Sequence, residues 1–323
     1  MVMKMKIGLI DVDNWGKINN CFPNLPLMKI SAFYKKHNYH VEWYDPNKYY
    51  DAVYMSKVFS FSHEPFSEIN ADEVIRGGSG YAIKLIDGKE VFDKENHLNL
   101  SDQIEHIYPD YSLYGIKNTA YGFMSRGCPR GCNFCHVQAK EGCRSHKAAD
   151  LSEFWNGQKK IELFDPNTFA CPEWKDIVTQ LIESKAQVDF NQGVDIRMMT
   201  PEKIELLMKV NTKHIHFAWD RYQDRDLIVP KFEQFKEITG WGRDKVTVYI
   251  LTNYDSTIQQ DLERIMFCRE LNFCPYVMRY DKEHIKRGAE VNALARWVNT
   301  KMIFWKCPTF EQYKNDIKKG LWM

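Results

Sequence analysis

The chain has 323 residues, with 44 Lys and Arg against 43 Asp and Glu; the net charge of +1 excludes a polybasic nucleic-acid coat and an acidic tail protein. Hydrophobic residues at 44% and charged residues at 27% fit a globular chain rather than a disordered one, with length for about two domains or one large α/β unit. No apolar run approaches the roughly 18 residues a membrane helix needs. The N-terminus runs from Met1 straight into a strand-like segment at Ile7 instead of a signal peptide, so a cytoplasmic protein with no membrane partner is expected.

Lys6–Asp11 reads as a short buried parallel strand. Asn24 and Pro26 open a helix whose apolar face is Leu27, Ile30, Phe33 and Tyr34. Val41 and Trp43 mark a second strand, and Ala52 and Tyr54 a third that runs toward Phe59. Val74 and Ile75 lead into the turn Gly77-Gly78-Ser79-Gly80, with barely room for a crossover helix between Phe59 and Val74. These features predict a small Rossmann-like βαβ layer over residues 1–95. Residues 96–118, with Asn96, Asn99, Ser101, Pro109, Asp110 and Ser112, read as a linker.

From Thr119 the alternation of strand and helix becomes regular. Strands are expected at 119–124, 160–164, 188–190, 214–219, 246–251 and 273–279. Helices are expected at 173–184, 201–209, up to Gly240, 257–270 and 290–298. Six β/α pairs in order predict a parallel barrel or part of one over 119–299, followed by a basic and aromatic extension at 300–323. Charge is uneven: residues 1–110 carry 12 basic and 16 acidic residues, and residues 276–323 carry 10 basic and 5 acidic.

The chain has nine cysteines, an odd number, and three of them fall within eight residues. Disulfides are not expected in a cytosolic chain, so a cluster points to a metal and isolated cysteines point to packing. Cys21, Cys171, Cys268, Cys274 and Cys307 are isolated. Cys128, Cys132 and Cys135 are spaced C-x3-C-x2-C on a Gly- and Pro-rich loop after the first strand of the β/α series. Three thiolates at this spacing suit three irons of a cubane cluster, leaving the fourth iron open to substrate or cofactor. The alternative is a tetrahedral zinc site with His136 or Cys143 as fourth ligand, but structural zinc usually has a second, distant ligand pair, which is missing here.

The segment resembles the radical S-adenosylmethionine (radical SAM) superfamily, whose signature is C-x3-C-x-aromatic-C, with Phe134 in the aromatic slot. The resemblance covers roughly Thr119 to Val298. It implies a partial (β/α)6 barrel of radical SAM type and a 4Fe-4S cluster on Cys128, Cys132 and Cys135. It also implies S-adenosylmethionine on the fourth iron, cleaved reductively to a 5′-deoxyadenosyl radical that abstracts hydrogen from a substrate. An external flavodoxin- or ferredoxin-like electron donor is implied with it.

Active sites of parallel β/α barrels lie at the C-terminal strand ends. That places Asp165, Asn167, Asp195, Arg197, Asp220 and Asn253, with Phe134, as candidates for S-adenosylmethionine or a polar substrate. The Gly-Gly-Glu that the superfamily often carries after its second strand is replaced here by Phe164-Asp165-Pro166-Asn167. Helix capping by Asp165 and Asp220, and mutual pairing of Asp195 with Arg197, are the structural alternatives. Cys143 is a candidate catalytic thiol or an ordinary loop cysteine. His214 and His216 alternate on a strand and face one side.

The N-terminal layer resembles the cobalamin-binding subclass of radical SAM proteins, with the Gly77–Gly80 turn near the expected corrin position. The D-x-H-x-x-G pattern is missing, since Asp11-Val12-Asp13-Asn14-Trp15-Gly16 has no histidine; a remnant fold serving as scaffold or dimer surface is preferred to a cobalamin site. The single Cys21 before the signature argues against the methylthiotransferases, which carry three N-terminal cysteines. The C-terminal Lys282, Lys286, Arg287, Arg296, Lys301 and Lys306, interleaved with Trp297, Phe304 and Trp305, suit RNA, but a helix and strand closing the barrel is the preferred reading. Three functions are thus weighed: a radical SAM enzyme, a cobalamin-dependent methyltransferase on RNA or a small molecule, and a non-catalytic regulator with structural zinc or an iron–sulfur centre.

Overall fold

The computed structural model describes residues 5–17, 22–86 and 89–322, so Cys21 lies outside the described residues. The chain forms two compact units, residues 1–161 and 162–323.

In the first unit, β1 (Lys6–Asp11) is the buried apolar run expected. α1 (Leu25–Lys36) starts where its residues dictate. The Asn24 side chain accepts from the Leu27 N–H at 3.2 Å, and Pro26 occupies the first turn, where a missing N–H breaks no helical bond. Leu27 and Ile30 pack on Ile7, Leu9 and Ala52. β2 (His40–Trp43), β3 (Tyr50–Ser56) and β4 (Ala71–Gly77) join β1 in a parallel four-stranded sheet of order β2-β1-β3-β4.

β3 stops short of Phe59 for a specific reason. The Asp13 carboxylate accepts from the backbone N–H of Val58 (2.6 Å) and of Phe59 (3.3 Å), which draws the chain out of the ladder. No helix bridges β3 and β4, as their short spacing in sequence requires. α2 (Ser79–Ala82) and the antiparallel hairpin β5 (Ile83–Ile86) and β6 (Lys89–Phe92) follow.

Residues 96–118 are built into the unit despite their loop-like composition. They hold α3 (Asp102–Glu105) and a 3-10 turn at Tyr111–Tyr114, and Leu100, Ile104 and Leu113 pack against the α1–β1 core. Ser31 donates to Asp110 at 2.6 Å, and Lys29 pairs with Glu105 at 2.9 Å. Anchors that meet this core one by one need no period, so periodicity does not reveal them. β7 (Thr119–Gly122), β8 (Ser125–Arg126), α4 (Val137–Glu141) and β9 (His146–Lys147) complete the unit, with β8 and β9 antiparallel.

Strand β10 (Lys160–Leu163) begins the regular series. It continues with α5 (Trp174–Ser184), β11 (Gln187–Val194), α6 (Pro201–Lys209), β12 (Thr212–Ala218) and α7 (Arg225–Thr239). Then come β13 (Val246–Thr252), α8 (Ile258–Glu270), β14 (Cys274–Arg279) and α9 (Glu290–Asn299). The strands form a six-stranded parallel sheet in the order β14-β13-β12-β11-β10-β7, a sequential order with β7 and β14 as its edges. A helix follows each of β10 to β14, whereas β7 is followed by the cysteine loop. Thr200 with Pro201, and the Thr257–Gln260 capping box, set the starts of α6 and α8 at the expected positions.

The faces of β11 to β14 differ. Val188, Phe190, Ile215, Phe217, Val248 and Val277 are buried, and Phe217 packs edge-on against Phe232 (5.6 Å) and Phe235 (5.0 Å) of α7. The alternate positions hold Asp189, His214, His216, Tyr249 and Tyr276. Two register shifts interrupt the β11–β12 pair. Lys213 is an extra residue between Thr212 and His214, and 191–193 bulge out of β11 between Phe190 and Val194.

Helices α10 (Lys301–Lys306) and α11 (Phe310–Lys318) close the unit. Trp297 is fully buried against Phe304 (5.0 Å) and Phe310 (5.6 Å), while the Arg243 and Arg269 guanidinium groups lie over the ring of Trp305. Cys171, Cys268, Cys274 and Cys307 are buried too.

Candidate functional site

The cysteine loop leaves β8 and returns at β9, and its neck is clasped by one carboxylate. Glu141 accepts from Arg126 Nη1 through Oε1 (3.1 Å) and from the Gly127 N–H through Oε2 (3.1 Å). Arg126 also donates to Glu105 at 3.1 Å and lies 4.1 Å over the Phe123 ring. The Cys128 N–H donates to Gly142 O at 3.3 Å. Gly127 adopts φ +77°, and a Cβ there would stand 2.2 Å from Arg144 O; only glycine allows this approach of the two loop arms.

Within the loop the Cys135 N–H donates to Cys132 O at 3.0 Å, and α4 starts two residues later. Cys128 and Cys132 are half-buried and Cys135 is exposed, unlike the four buried cysteines elsewhere. By donor chemistry three soft thiols outside the core fit an iron–sulfur cluster. Among the described residues, however, no three His, Cys, Asp or Glu side chains are gathered in a metal-binding arrangement.

His136 precedes α4, and its Nε2 lies 3.4 Å from Glu90 of β6. Lys140 is pulled below its ordinary range, chiefly by burial, and His97 is lowered by burial with the Lys140 and Arg126 charges adding to it. Cys143 is exposed, one residue past Gly142.

The strand-end candidates of the second unit separate into groups. Asp195, Arg197 and Asp220 come together with Asp224, which the sequence reading missed. Asp195 Oδ1 accepts from Arg197 Nε (2.7 Å) and from its N–H (3.1 Å), and Arg197 Nη1 donates to Asp224 at 2.7 Å. The mutual pairing of Asp195 and Arg197 is therefore present. Asp220 is pushed up to about 6, first by burial; the Arg264 and Arg197 charges oppose that rise, and Asp195 and Asp224 add to it.

Asp165 and Asn167 are both buried at a 3-10 turn, where Asp165 accepts from Thr168 Oγ1 at 3.2 Å. Asn253 is left-handed, with φ +63°, and its Nδ2 donates to Tyr280 O at 3.1 Å.

Arg264 is the second residue missed. It is fully buried on α8 and binds the carbonyls of Trp219, Asp220 and Leu251. In sequence it looks like half of a surface pair with Asp261 three residues before it, so only burial distinguishes it.

In the first unit the Gly77–Gly80 turn is accounted for by internal packing. A Cβ at Gly78 would stand 2.3 Å from Lys57 O, and one at Gly80 2.7 Å from Phe59 O. The chain matches no protein-family model, and no curated protein matches it.

Proposed function

We propose that the chain is a radical SAM enzyme, with one 4Fe-4S cluster held by Cys128, Cys132 and Cys135. The observation that carries this reading is the cysteine loop: C-x3-C-x2-C with Phe134 in the aromatic slot, directly after the first strand of a sequentially ordered parallel sheet. A partial (β/α)6 barrel of radical SAM type is the finer reading of that sheet. When bound, the cluster would supply the electron that cleaves S-adenosylmethionine reductively, and the 5′-deoxyadenosyl radical so released would take hydrogen from the substrate.

The chain's own contribution is binding and positioning. Gly127 and the Arg126–Glu141 clasp fix the neck of the loop. Arg197, oriented by Asp195 and Asp224, offers a guanidinium suited to a carboxylate or another polar group. Asp220, near 6, holds or releases a proton at its carboxyl close to neutral pH. Asp165, Asn167 and Asn253 are the remaining strand-end positions for S-adenosylmethionine. A flavodoxin- or ferredoxin-like donor in a reducing, cytoplasmic setting would deliver the electron.

Anaerobic reconstitution tests the reading. Roughly four irons per chain and 5′-deoxyadenosine on addition of dithionite and S-adenosylmethionine are expected. Both are lost when Cys128, Cys132 and Cys135 are all changed to Ala. One zinc per chain and no iron would favour a structural metal instead. A loaded cluster that yields no 5′-deoxyadenosine counts against catalysis.

A further inference from the structure

The polar face of the second unit's sheet carries a cluster that neither the cysteine loop nor the strand-end carboxylates use. Asp189 of β11 is only 6% exposed, and its Oδ1 accepts no hydrogen bond. Three nitrogens surround that carboxylate at the outer limit of hydrogen bonding or beyond: Lys213 Nζ at 3.5 Å, His214 Nδ1 at 3.6 Å and His216 Nδ1 at 3.8 Å. A buried carboxylate ordinarily has its oxygens satisfied, so one left with charge neighbours but no bond at Oδ1 is poised for a change of charge nearby.

His216 is held by a different group. Its Nδ1 lies 3.0 Å from Phe190 O, next to the 191–193 bulge that interrupts the β11–β12 ladder. A carbonyl only accepts, so Nδ1 carries the proton, and the neutral ring presents a bare lone pair at Nε2. The ring stacks on Tyr249 at 5.2 Å and 13°, and Tyr276 meets Tyr249 edge-on at 5.7 Å. His214 lies 6.3 Å from His216 on the same strand, held toward the neutral form by burial against the opposing charge of Asp189.

We propose that Asp189, His216 and Tyr249 form a proton-accepting ligand site for a planar group bearing an N–H or O–H. The ligand lies against the Tyr249 platform and donates to His216 Nε2. On ionisation the donor N–H or O–H bond breaks and an Nε2–H bond forms. The electron pair stays on the ligand, nothing is oxidised or reduced, and Asp189 is the counter-ion of the imidazolium. The site stands on the second unit alone and holds whether or not the cysteine loop carries a cluster. The titratable and charged groups around it are Asp189 on β11, Lys213 and His214 on β12, Tyr249 on β13 and Tyr276 on β14, with Lys301 of α10 acting on His214.

The test is long-range 1H–15N spectroscopy of the full-length chain labelled at histidine, assigned with His214→Gln and His216→Gln. Neutral His216 is expected as the Nδ1–H tautomer. Phenol, as the probe, should shift the Nε2 signal in the wild type and roughly tenfold less in Tyr249→Ala, which removes the stacking platform. Asp189→Asn should reduce the phenol-induced shift severalfold, because it removes the counter-ion 3.8 Å from the ring. An Nε2–H tautomer, or a phenol shift that is absent or insensitive to Tyr249→Ala, would overturn the proposal. If Asp189→Asn does not fold, the wild-type tautomer and the phenol measurement still decide it.

Discussion

Arg264→Met is the most informative perturbation of the second unit. The guanidinium is fully buried. Its Nη1 donates to Trp219 O (2.6 Å) and Asp220 O (2.9 Å), and its Nη2 to Leu251 O (2.9 Å), Ser256 Oγ (3.0 Å) and Asp261. One side chain thus ties the C-terminal ends of β12 and β13 together and neutralises a carboxylate that is itself 1% exposed. Removing it leaves the Asp261 charge buried and uncompensated, which costs about 3–5 kcal/mol. In a unit of this size that corresponds to a melting temperature lower by roughly 6–20 °C.

Urea unfolding followed by circular dichroism measures the loss. Asp261→Asn with Arg264→Met should cost clearly less than the two single changes added together, with a coupling of about 1–3 kcal/mol, because the double variant leaves no unpaired charge. A loss below about 1 kcal/mol for Arg264→Met, or strict additivity in the double variant, would refute the reasoning.

Two further outcomes are expected. Gly127→Ala should cost about 1–3 kcal/mol through its left-handed backbone and the 2.2 Å approach to Arg144 O, whereas Gly131→Ala, whose Cβ meets nothing nearer than Gln138 Oε1 at 3.4 Å, should be close to neutral; equal losses in urea unfolding would contradict this. Asp220 is an acid whose folded value, about 6, lies above its unfolded value of 3.8, so its contribution to stability is greatest below pH 4 and is lost as pH rises through 6. Asp220→Asn should therefore gain about 2 kcal/mol on the wild type between pH 4 and pH 7; parallel stability curves for the two proteins over that range would show that the carboxyl is not held protonated.

Much of the fold was legible because its signals are local. Thr200 followed by Pro201, and Thr257 followed by Gln260, cap their own helices, so α6 and α8 start where the residues say. Apolar runs such as 246–251 read as buried parallel strands without any knowledge of their neighbours. Segment 96–118 was not legible, since Leu100, Ile104 and Leu113 acquire meaning only against the core that β1, α1 and β3 build. The early end of β3 depends on Asp13, which reaches Val58 and Phe59 from more than forty residues away.

The candidate site divides the same way. The C-x3-C-x2-C spacing and the glycine at 127 are visible in the chain, because the one loop between β8 and β9 holds all the atoms involved. The pairing of Asp195 with Arg197, two residues apart, is equally local. Asp224, Arg264 and the Asp189–His216–Tyr249 face are not local. They depend on which strands are neighbours and on two bulges that reset the register of β11 against β12. Composition, charge, the strand–helix order from β10 to α9 and the cysteine loop were determined by the sequence alone, through short-range hydrogen bonding and periodic burial. Which carboxylate is buried beside which imidazole was decided only by tertiary structure, since a register shift of a single residue moves a side chain to the opposite face without changing any local signal.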